Sequence, residues 1–260
     1  MPAWREYKGV LRYLWVLVIV AAALHGTAGL APCGDCHGWG LDYAVLDESS
    51  GAPVGEVVLE ITERPGRFRW HEVRTYGTES DMFDVVFDPD TLRPTDYVRR
   101  IHSEKGDQVI RIDVEDGRVT ATAENRKGVS THRVTLPSGE VVIEPLFKYY
   151  LSRVCDRPAQ AGRVTLVAWM GNEIKTFPLK WRQEGKEVIA VPAGETECFR
   201  LWVSPASWYV RLLSKGQPVW LDTSHGHAVV RSPVRRSLFA EERLMVLTNR
   251  RVTDCNSPTP

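Results

Sequence analysis

The sequence predicts an all-β fold with one main helix. Apolar and polar residues alternate along most of the chain, turn-forming dipeptides separate the alternating runs, and a single segment has helical spacing instead. In the clearest run, Ile110, Ile112 and Val114 alternate with charged residues. The dipeptide Asp116-Gly117 follows this run and precedes another, which is typical of a β-hairpin with a tight turn.

The same alternation predicts further strands along the chain, joined mainly as hairpins. Dipeptides that end in glycine, such as Pro65-Gly66 and Glu184-Gly185, mark breaks between them. The further predicted strands are Gly40–Asp47, Val54–Thr62, Arg67–Thr75, Met82–Phe87, Asp96–His102, Val129–Leu136, Arg163–Trp169, Glu173–Trp181, Glu197–Ser204, Trp208–Leu213, Pro218–Asp222 and Arg243–Thr248.

One segment within residues 140–155 departs from the alternation and predicts the helix. Pro145 is expected at the first helical position, where its missing N–H group is not needed. A helix of about ten residues is marginal alone, so it is expected to lie on a sheet. Its apolar stripe is Leu146, Phe147, Tyr150, Leu151 and Val154.

The N-terminal segment has the form of an export signal. Arg5, Lys8 and Arg12 precede Tyr13–Pro32, which holds no charged residue. A cleavable signal would be cut after Ala28, whereas a retained segment is long enough to cross the membrane as a helix. Both outcomes predict that the rest of the chain is periplasmic or otherwise extracytoplasmic, either exported or anchored to the inner membrane by residues 13–32.

Three regions are therefore expected. Residues 1–31 are the export signal or membrane anchor, residues 32–252 form a single β-rich domain, and residues 253–260 are a flexible tail. The 33 basic and 33 acidic residues cancel, so no net charge attracts nucleic acid or an anionic membrane surface. Contact with a membrane is expected only through the N-terminal segment.

Five cysteines in an exported chain indicate disulfide bonds, because an oxidising compartment preserves them. The odd number leaves at least one cysteine unpaired. We expect a bond of Cys155 with Cys198 or Cys255, although Cys198 also fits a buried thiol in a strand.

The motif Cys33-x-x-Cys36-His37 has two interpretations. Either Cys33 and Cys36 form a local disulfide or a redox-labile thiol pair, or they attach haem c with His37 as the iron ligand. The chain enters a predicted strand directly after the motif, so no helical shell is expected around a haem. The thiol pair without a cofactor is therefore our prediction, and a monohaem electron carrier is the alternative.

Few other residues suggest chemistry. His225 and His227 are weak candidates for a metal site, because no third ligand is evident and Gly226 between them suits a turn. No nucleophile elbow, phosphate loop or paired carboxylate motif is present in the sequence. We therefore predict a protein without catalytic residues, bound metal or enzymatic activity.

A Pro-Ala-Gly turn within Val191–Gly194 leads into the predicted strand at Cys198–Val203. Together with the helical segment EPLFKYYLSRV and the closing segment GQPVWLDTSHGHAVVRSPVR, this turn resembles the envelope proteins grouped as domain of unknown function 3108. The resemblance covers Trp39–Leu247. It implies a large, strongly curved antiparallel sheet, a half-barrel or open barrel akin to lipoprotein carriers, with the helix near its concave side and no known catalytic residues.

Tryptophans in the predicted strands form the candidate ligand site. Large rings on a concave sheet can hold a lipid or another apolar ligand, and they can equally fill a core. Trp208 lies in a predicted strand as well. The candidates for ligand binding are Trp70, Trp169, Trp181, Trp202 and Trp220. The expected function is that of a non-catalytic cell-envelope protein whose partner is an apolar small molecule or another envelope protein.

Overall fold

Strands of one sheet account for most of the part of the chain that the structure describes. The computed structural model describes residues 37–157, 159–207, 216–223, 227–234 and 243–253. The helix is α1 (Phe147–Val154). The strands in these ranges are β1 (His37–Asp47), β2 (Pro53–Arg64), β3 (Arg67–Tyr76), β4 (Glu79–Phe87), β5 (Pro94–His102), β6 (Gln108–Glu115), β7 (Arg118–Asn125), β8 (Gly128–Thr135), β9 (Val141–Ile143), β10 (Ala161–Met170), β11 (Glu173–Val191), β12 (Gly194–Pro205), β13 (Gln217–Asp222), β14 (Val229–Val234) and β15 (Arg243–Thr253).

The strands pair in an order that joins the first and last of them in the middle of the sheet. From β8 back to β1 each strand is antiparallel to the next along the chain, and β1 then pairs with β15. From β15 the order returns through β14, β13, β12, β11 and β10 to β9, which is parallel to β10. Since β8 and β9 remain at the two edges, the sheet is curved but not closed into a barrel.

Alternation along the strands gives the sheet an inner face that holds the core. Phe68 and Trp70 of β3 are buried. Their partners on β4, Phe87 and Val85, are buried as well. Helix α1 lies on this face, since the Tyr149 ring packs edge-on against Phe68 and Phe87, with centroids 5.7 and 5.3 Å apart. The predicted all-β fold, with one main helix and a curved antiparallel sheet, is therefore confirmed.

The helix begins two residues later than the sequence predicts. It starts at Phe147 with Leu146 as its N-cap, so the prediction that Pro145 occupies the first helical position is wrong. The Leu146 N–H group instead donates to the Ile143 carbonyl at 2.9 Å, which forms a turn between β9 and the helix. The predicted burial of the apolar stripe is confirmed at Tyr150, Leu151 and Val154.

Three strand regions escaped sequence prediction: β9, β14 and the second half of β11. The sequence predicts a break at Glu184-Gly185, yet β11 continues through it. The register with β12 shifts between Gln183 and Gly185, and Gly185 has a φ of 139°. A bulge with glycine at positive φ therefore lets the strand continue. The predicted strand Trp208–Leu213 lies outside the described residues.

The expected bond between Cys155 and Cys198 is wrong, because both are free, buried thiols. The Cys155 thiol, directly after α1, donates to the Leu151 carbonyl of the helix, and the Cys198 thiol donates to the Thr196 carbonyl of its own strand, both at 3.5 Å. The alternative interpretation of Cys198 as a buried strand thiol is the correct one. Cys255, like the export segment and the rest of residues 1–36, lies outside the described ranges. Within those ranges no helix is long and apolar enough to span a membrane.

Replacing Val154 with alanine should destabilise the fold, because this side chain is fully buried on the helix. The lost methyl groups and the space they leave should lower the free energy of unfolding by about 2 kcal/mol. The same substitution at Val129, which is 67% exposed on edge strand β8, should cost less than about 1 kcal/mol. Denaturant titration followed by circular dichroism measures both variants. Equal losses would contradict the helix placement.

Candidate ligand-binding site

A cavity of about 790 Å³ lies at one level of β10, β11 and β12. Small-molecule sites typically occupy about 300–1,000 Å³, so the space is sufficient for a ligand of that class. Arg163 and Arg182 in the lining are exposed, which connects the cavity to solvent. The lining residues are Ala161, Gly162, Arg163, Lys180, Trp181, Arg182, Trp202, Ser204 and Gly216.

The register shows which face of the sheet each lining residue occupies. Trp181 pairs with Gly162 and faces inward, because its Nε1 donates to the Tyr150 hydroxyl of α1 at 2.9 Å. Arg182 follows Trp181 along the strand and therefore faces outward. Trp202 is the partner of Arg182 on β12, so it also lies on the outer face. The cavity thus reaches the face of the sheet opposite the helix.

Two glycines make room for the two indole rings. A Cβ atom at Gly162 would lie 2.7 Å from ring atoms of Trp181, and one at Gly216 would lie 2.7 Å from Cε2 of Trp202. Side-chain carbons do not approach rings this closely, so any residue larger than glycine at these two positions would displace the indole rings. The absence of a side chain at both positions leaves room for each indole ring beside the glycine backbone.

Trp181 is held in place from the inner side by a chain of hydrogen bonds. Tyr150 accepts from the indole and donates to Glu140 Oε2 at 2.6 Å. Burial, together with the hydrogen bond to Glu140, raises the pKa of Tyr150, so its hydroxyl remains a donor. Arg157 pairs with Glu140 at 2.5 Å. The helix and the segments on either side of it thereby fix one wall of the cavity.

The basic residues of the lining differ in their partners. Arg182 Nη2 is 2.6 Å from Glu184 Oε1, and the other oxygen of Glu184 is 3.2 Å from Arg200 Nε. Arg163 lies directly opposite Lys180 across β10 and β11. Among the residues that the structure describes, no carboxylate forms an ion pair with either of these two. The lining itself contains no acidic residue.

The inner face of the sheet contains a second notable cluster, centred on Glu72. This carboxylate has no exposed surface. Its Oε1 is 2.5 Å from Arg74 Nε and 2.9 Å from Lys148 Nζ of the helix, and its Oε2 accepts from Trp70 Nε1 at 3.0 Å. Glu72 therefore joins β3 to α1 through three charged or polar partners.

The cluster continues through Arg74 across the neighbouring strands. Arg74 Nη1 is 3.0 Å from Glu144 Oε1, and Glu144 Oε2 is 3.6 Å from Arg99 Nη1. Arg99 makes two parallel hydrogen bonds to Asp81, of 2.8 and 2.7 Å. Both guanidinium groups lie over the Phe83 ring, with Arg74 Cζ 4.5 Å and Arg99 Cζ 4.7 Å from its centroid. Three carboxylates and three basic groups thus compensate one another.

Neighbouring basic groups keep the carboxylates of Glu72 and Glu144 ionised. Burial alone would raise the pKa of Glu72, but Arg74 and Lys148 lower it to about 2. Burial also opposes ionisation of Glu144, and Arg99 and Arg74 nevertheless hold its pKa below the usual value. The cluster is therefore a set of paired ions that ties the helix to the sheet.

Little free space remains beside this cluster. A second cavity, lined by Tyr43, Trp70, Lys148 and other core residues, measures about 30 Å³. That volume suits one or two water molecules rather than an organic ligand. The ligand-sized space therefore lies at the β10–β12 level and not against the helix.

The predicted tryptophans divide between the cavity and other surroundings. Trp181 and Trp202 line the cavity. Trp70 is buried against Glu72, and the buried Trp169 packs edge-on against His132 with centroids 5.4 Å apart.

Trp220 has polar neighbours outside the cavity. Its Nε1 donates to Glu187 Oε1 at 2.5 Å, and Arg231 Cζ lies 5.0 Å from its ring centroid. Trp208, another of the strand tryptophans, lies outside the described residues.

His227 does not line this cavity. His227 Nδ1 is 2.8 Å from the Asp222 carbonyl oxygen, and its Nε2 is 2.7 Å from Asp156 Oδ1. His225 lies outside the described residues, as do Cys33 and Cys36. Among the described residues, no group of three or more His, Cys, Asp or Glu side chains is placed to hold a metal ion.

A curved, open antiparallel sheet with one helix on its inner face defines the chain as a β-barrel-like protein. The family model for the protein of unknown function DUF3108 matches residues 39–238, and the chain belongs to this family. The sequence-based resemblance is therefore confirmed.

A solved structure supports the fold. The chain is similar to a β-barrel-like protein of domain of unknown function DUF1849 from Brucella abortus, with 10% identity, a TM-score of 0.56, and coverage of 85% of this chain and 98% of the other. A proposed lipoprotein from Parabacteroides distasonis aligns with 10% identity and a TM-score of 0.27, covering 82% of this chain and 95% of the other. Comparison with curated proteins found no significant match.

Glu72→Gln should destabilise the protein by about 3–5 kcal/mol, because it leaves Arg74 and Lys148 without their buried counter-charge. A matched control is Glu173→Gln, which removes half of an exposed pair with Lys175 and should change the free energy of unfolding by less than about 1 kcal/mol. Denaturant unfolding at neutral pH compares the two. Similar small effects would show that the cluster contributes little to stability.

Lowering the pH should remove the contribution of Glu72 to the free energy of unfolding over a defined pH range. Because the folded pKa is depressed to about 2 from an ordinary value of 4.5, the stabilisation is complete above about pH 4.5 and is lost as the pH falls towards 2. The expected loss is about 3 kcal/mol. Unfolding measured at a series of pH values should therefore show a shallower acid dependence in Glu72→Gln than in the wild type. The same pH dependence of the unfolding free energy in the two proteins would contradict the lowered pKa of Glu72.

Proposed function

We propose that the protein is a non-catalytic protein of the cell envelope that binds an apolar small molecule in the cavity beside Trp181 and Trp202. The observation that carries this proposal is the pairing of a ligand-sized space with two indoles, each seated against a glycine. Indoles offer large apolar contact area with little conformational freedom to lose on binding. The arrangement suits recognition of an apolar group.

The envelope location rests on the N-terminal sequence. Basic residues before the uncharged segment 13–32 support export of the domain, with that segment either cleaved or kept as an inner-membrane anchor. In this proposal the domain is periplasmic or otherwise extracytoplasmic. Cys33 and Cys36 form a local disulfide or a thiol pair there, and the protein carries no haem.

The non-catalytic part of the proposal is supported by the state of the buried ionisable groups. A catalytic acid or base needs a pKa near the working pH and access to a substrate. Glu72, Glu144 and Arg99 are instead held in ion pairs with one another or with neighbouring side chains. The cavity itself is lined by basic, aromatic and small residues.

Binding should be tested by titrating the purified full chain with decanol, an uncharged single-chain probe, in a calorimeter. Trp202→Ala should weaken decanol binding about tenfold or more, because it removes the aromatic contact on the outer side of the cavity. Trp220→Ala is the matched control, since this ring contacts Glu187 and Arg231 outside the cavity. Equal affinity of decanol for the Trp202→Ala and Trp220→Ala variants would overturn the proposal.

A further inference from the structure

We infer that the ligand of the cavity is an anionic amphiphile, whose carboxylate or phosphate head lies beside Arg163 and Lys180 and whose chain contacts Trp202. This inference rests on the proposed function, because it specifies the chemical class that the same cavity binds. It is carried by the arrangement of the lining residues in two rows across the strands, one polar and one largely apolar.

The polar row consists of three residues that lie directly opposite one another on the outer face. Arg163 of β10 pairs with Lys180 of β11, and Lys180 pairs with Ser204 of β12. All three line the cavity. The row therefore presents two cationic groups and a hydroxyl donor along one line, which is the donor set that a carboxylate or phosphate accepts from.

The two cations of this row repel each other in the absence of an anion. Side chains directly opposite in an antiparallel pair have Cβ atoms about 4.5–5.5 Å apart, and like charges at such positions are destabilising. No carboxylate in the described part of the chain pairs with Arg163 or Lys180. An anionic head between them would relieve the repulsion, so the free energy of binding gains a contribution that a neutral ligand lacks.

The second row lies two residues along the strands and has a different character. Ala161 pairs with Arg182, and Arg182 pairs with Trp202. The charge of Arg182 is compensated by Glu184 at 2.6 Å, so this row offers the methyl group of Ala161 and the Trp202 ring without a free charge. Two residues of a strand span about 7 Å, which separates head from chain within one ligand.

The test compares single-chain probes that differ only in their heads: decanol, decanoate and decyl phosphate, with acetate as a head without a chain. At neutral pH the wild type should bind the two anionic probes about tenfold more tightly than decanol, a difference of about 1.4 kcal/mol. Acetate should show no saturable binding. High salt should reduce the preference, because the two cations are accessible to screening ions.

The double variant Arg163→Gln, Lys180→Gln should lose the preference for anions, so that decanoate and decyl phosphate bind it no more tightly than decanol does. The matched control is Lys105→Gln, Arg133→Gln, which removes two exposed charges from the β5–β6 turn and edge strand β8 and should keep the preference.

Equal binding of decanol and decanoate by the wild type would overturn this inference and leave the proposed function standing. Failure of all chain-bearing probes to bind would overturn both. A stronger preference for decyl phosphate would indicate a phospholipid-type head, and one for decanoate a free fatty acid.

Discussion

The burial of one ionised carboxylate, Glu72, constrains how the helix meets the sheet. Taking a carboxylate out of water costs several kcal/mol unless its oxygens find charged or hydrogen-bonding partners. Here Trp70 and Arg74 from the same strand supply two of them, and Lys148 from the helix supplies a third. Apolar contacts between a helix and a sheet tolerate sliding, whereas these directional contacts require Lys148 to reach one point on β3.

This constraint affects where free space remains beside the sheet. The helix and the ion pairs occupy the inner face, and the space beside Lys148 among the described residues is of water size. The helix nevertheless contributes to the cavity at the β10–β12 level, because Tyr150 anchors Trp181 from the inner side. Helix α1 thus occupies the inner face of the sheet and also supports the wall of the cavity that Trp181 forms.

Much of the fold could be predicted from the sequence, because alternation of apolar and polar residues is a local property. The sequence also indicates that Glu72 and Arg74 face inward, because they continue the alternation that Phe68 and Trp70 begin along β3. The row of Arg163, Lys180 and Ser204 could not be predicted in the same way. Each of the three is an ordinary outward strand residue, and only the register between three strands brings them into line.

The start of the helix could not be predicted from Pro145 alone. A proline favours the first turn of a helix, but the local turn that ends β9 decides where the helix begins.

The adjacency of the first and last strands has a consequence for how the molecule is made. β1 pairs with β2 on one side and with β15 on the other, so two arms of the sheet meet only when the final strand is available. A chain synthesised from its N-terminus therefore carries an unpaired strand edge at β1 until β15 has been made. Pairing of such distant segments is slow, and exposed edges invite association with other chains. A product truncated before β15 would keep two open edges in the middle of its sheet, which would make incomplete copies recognisable to proteases and prone to aggregate.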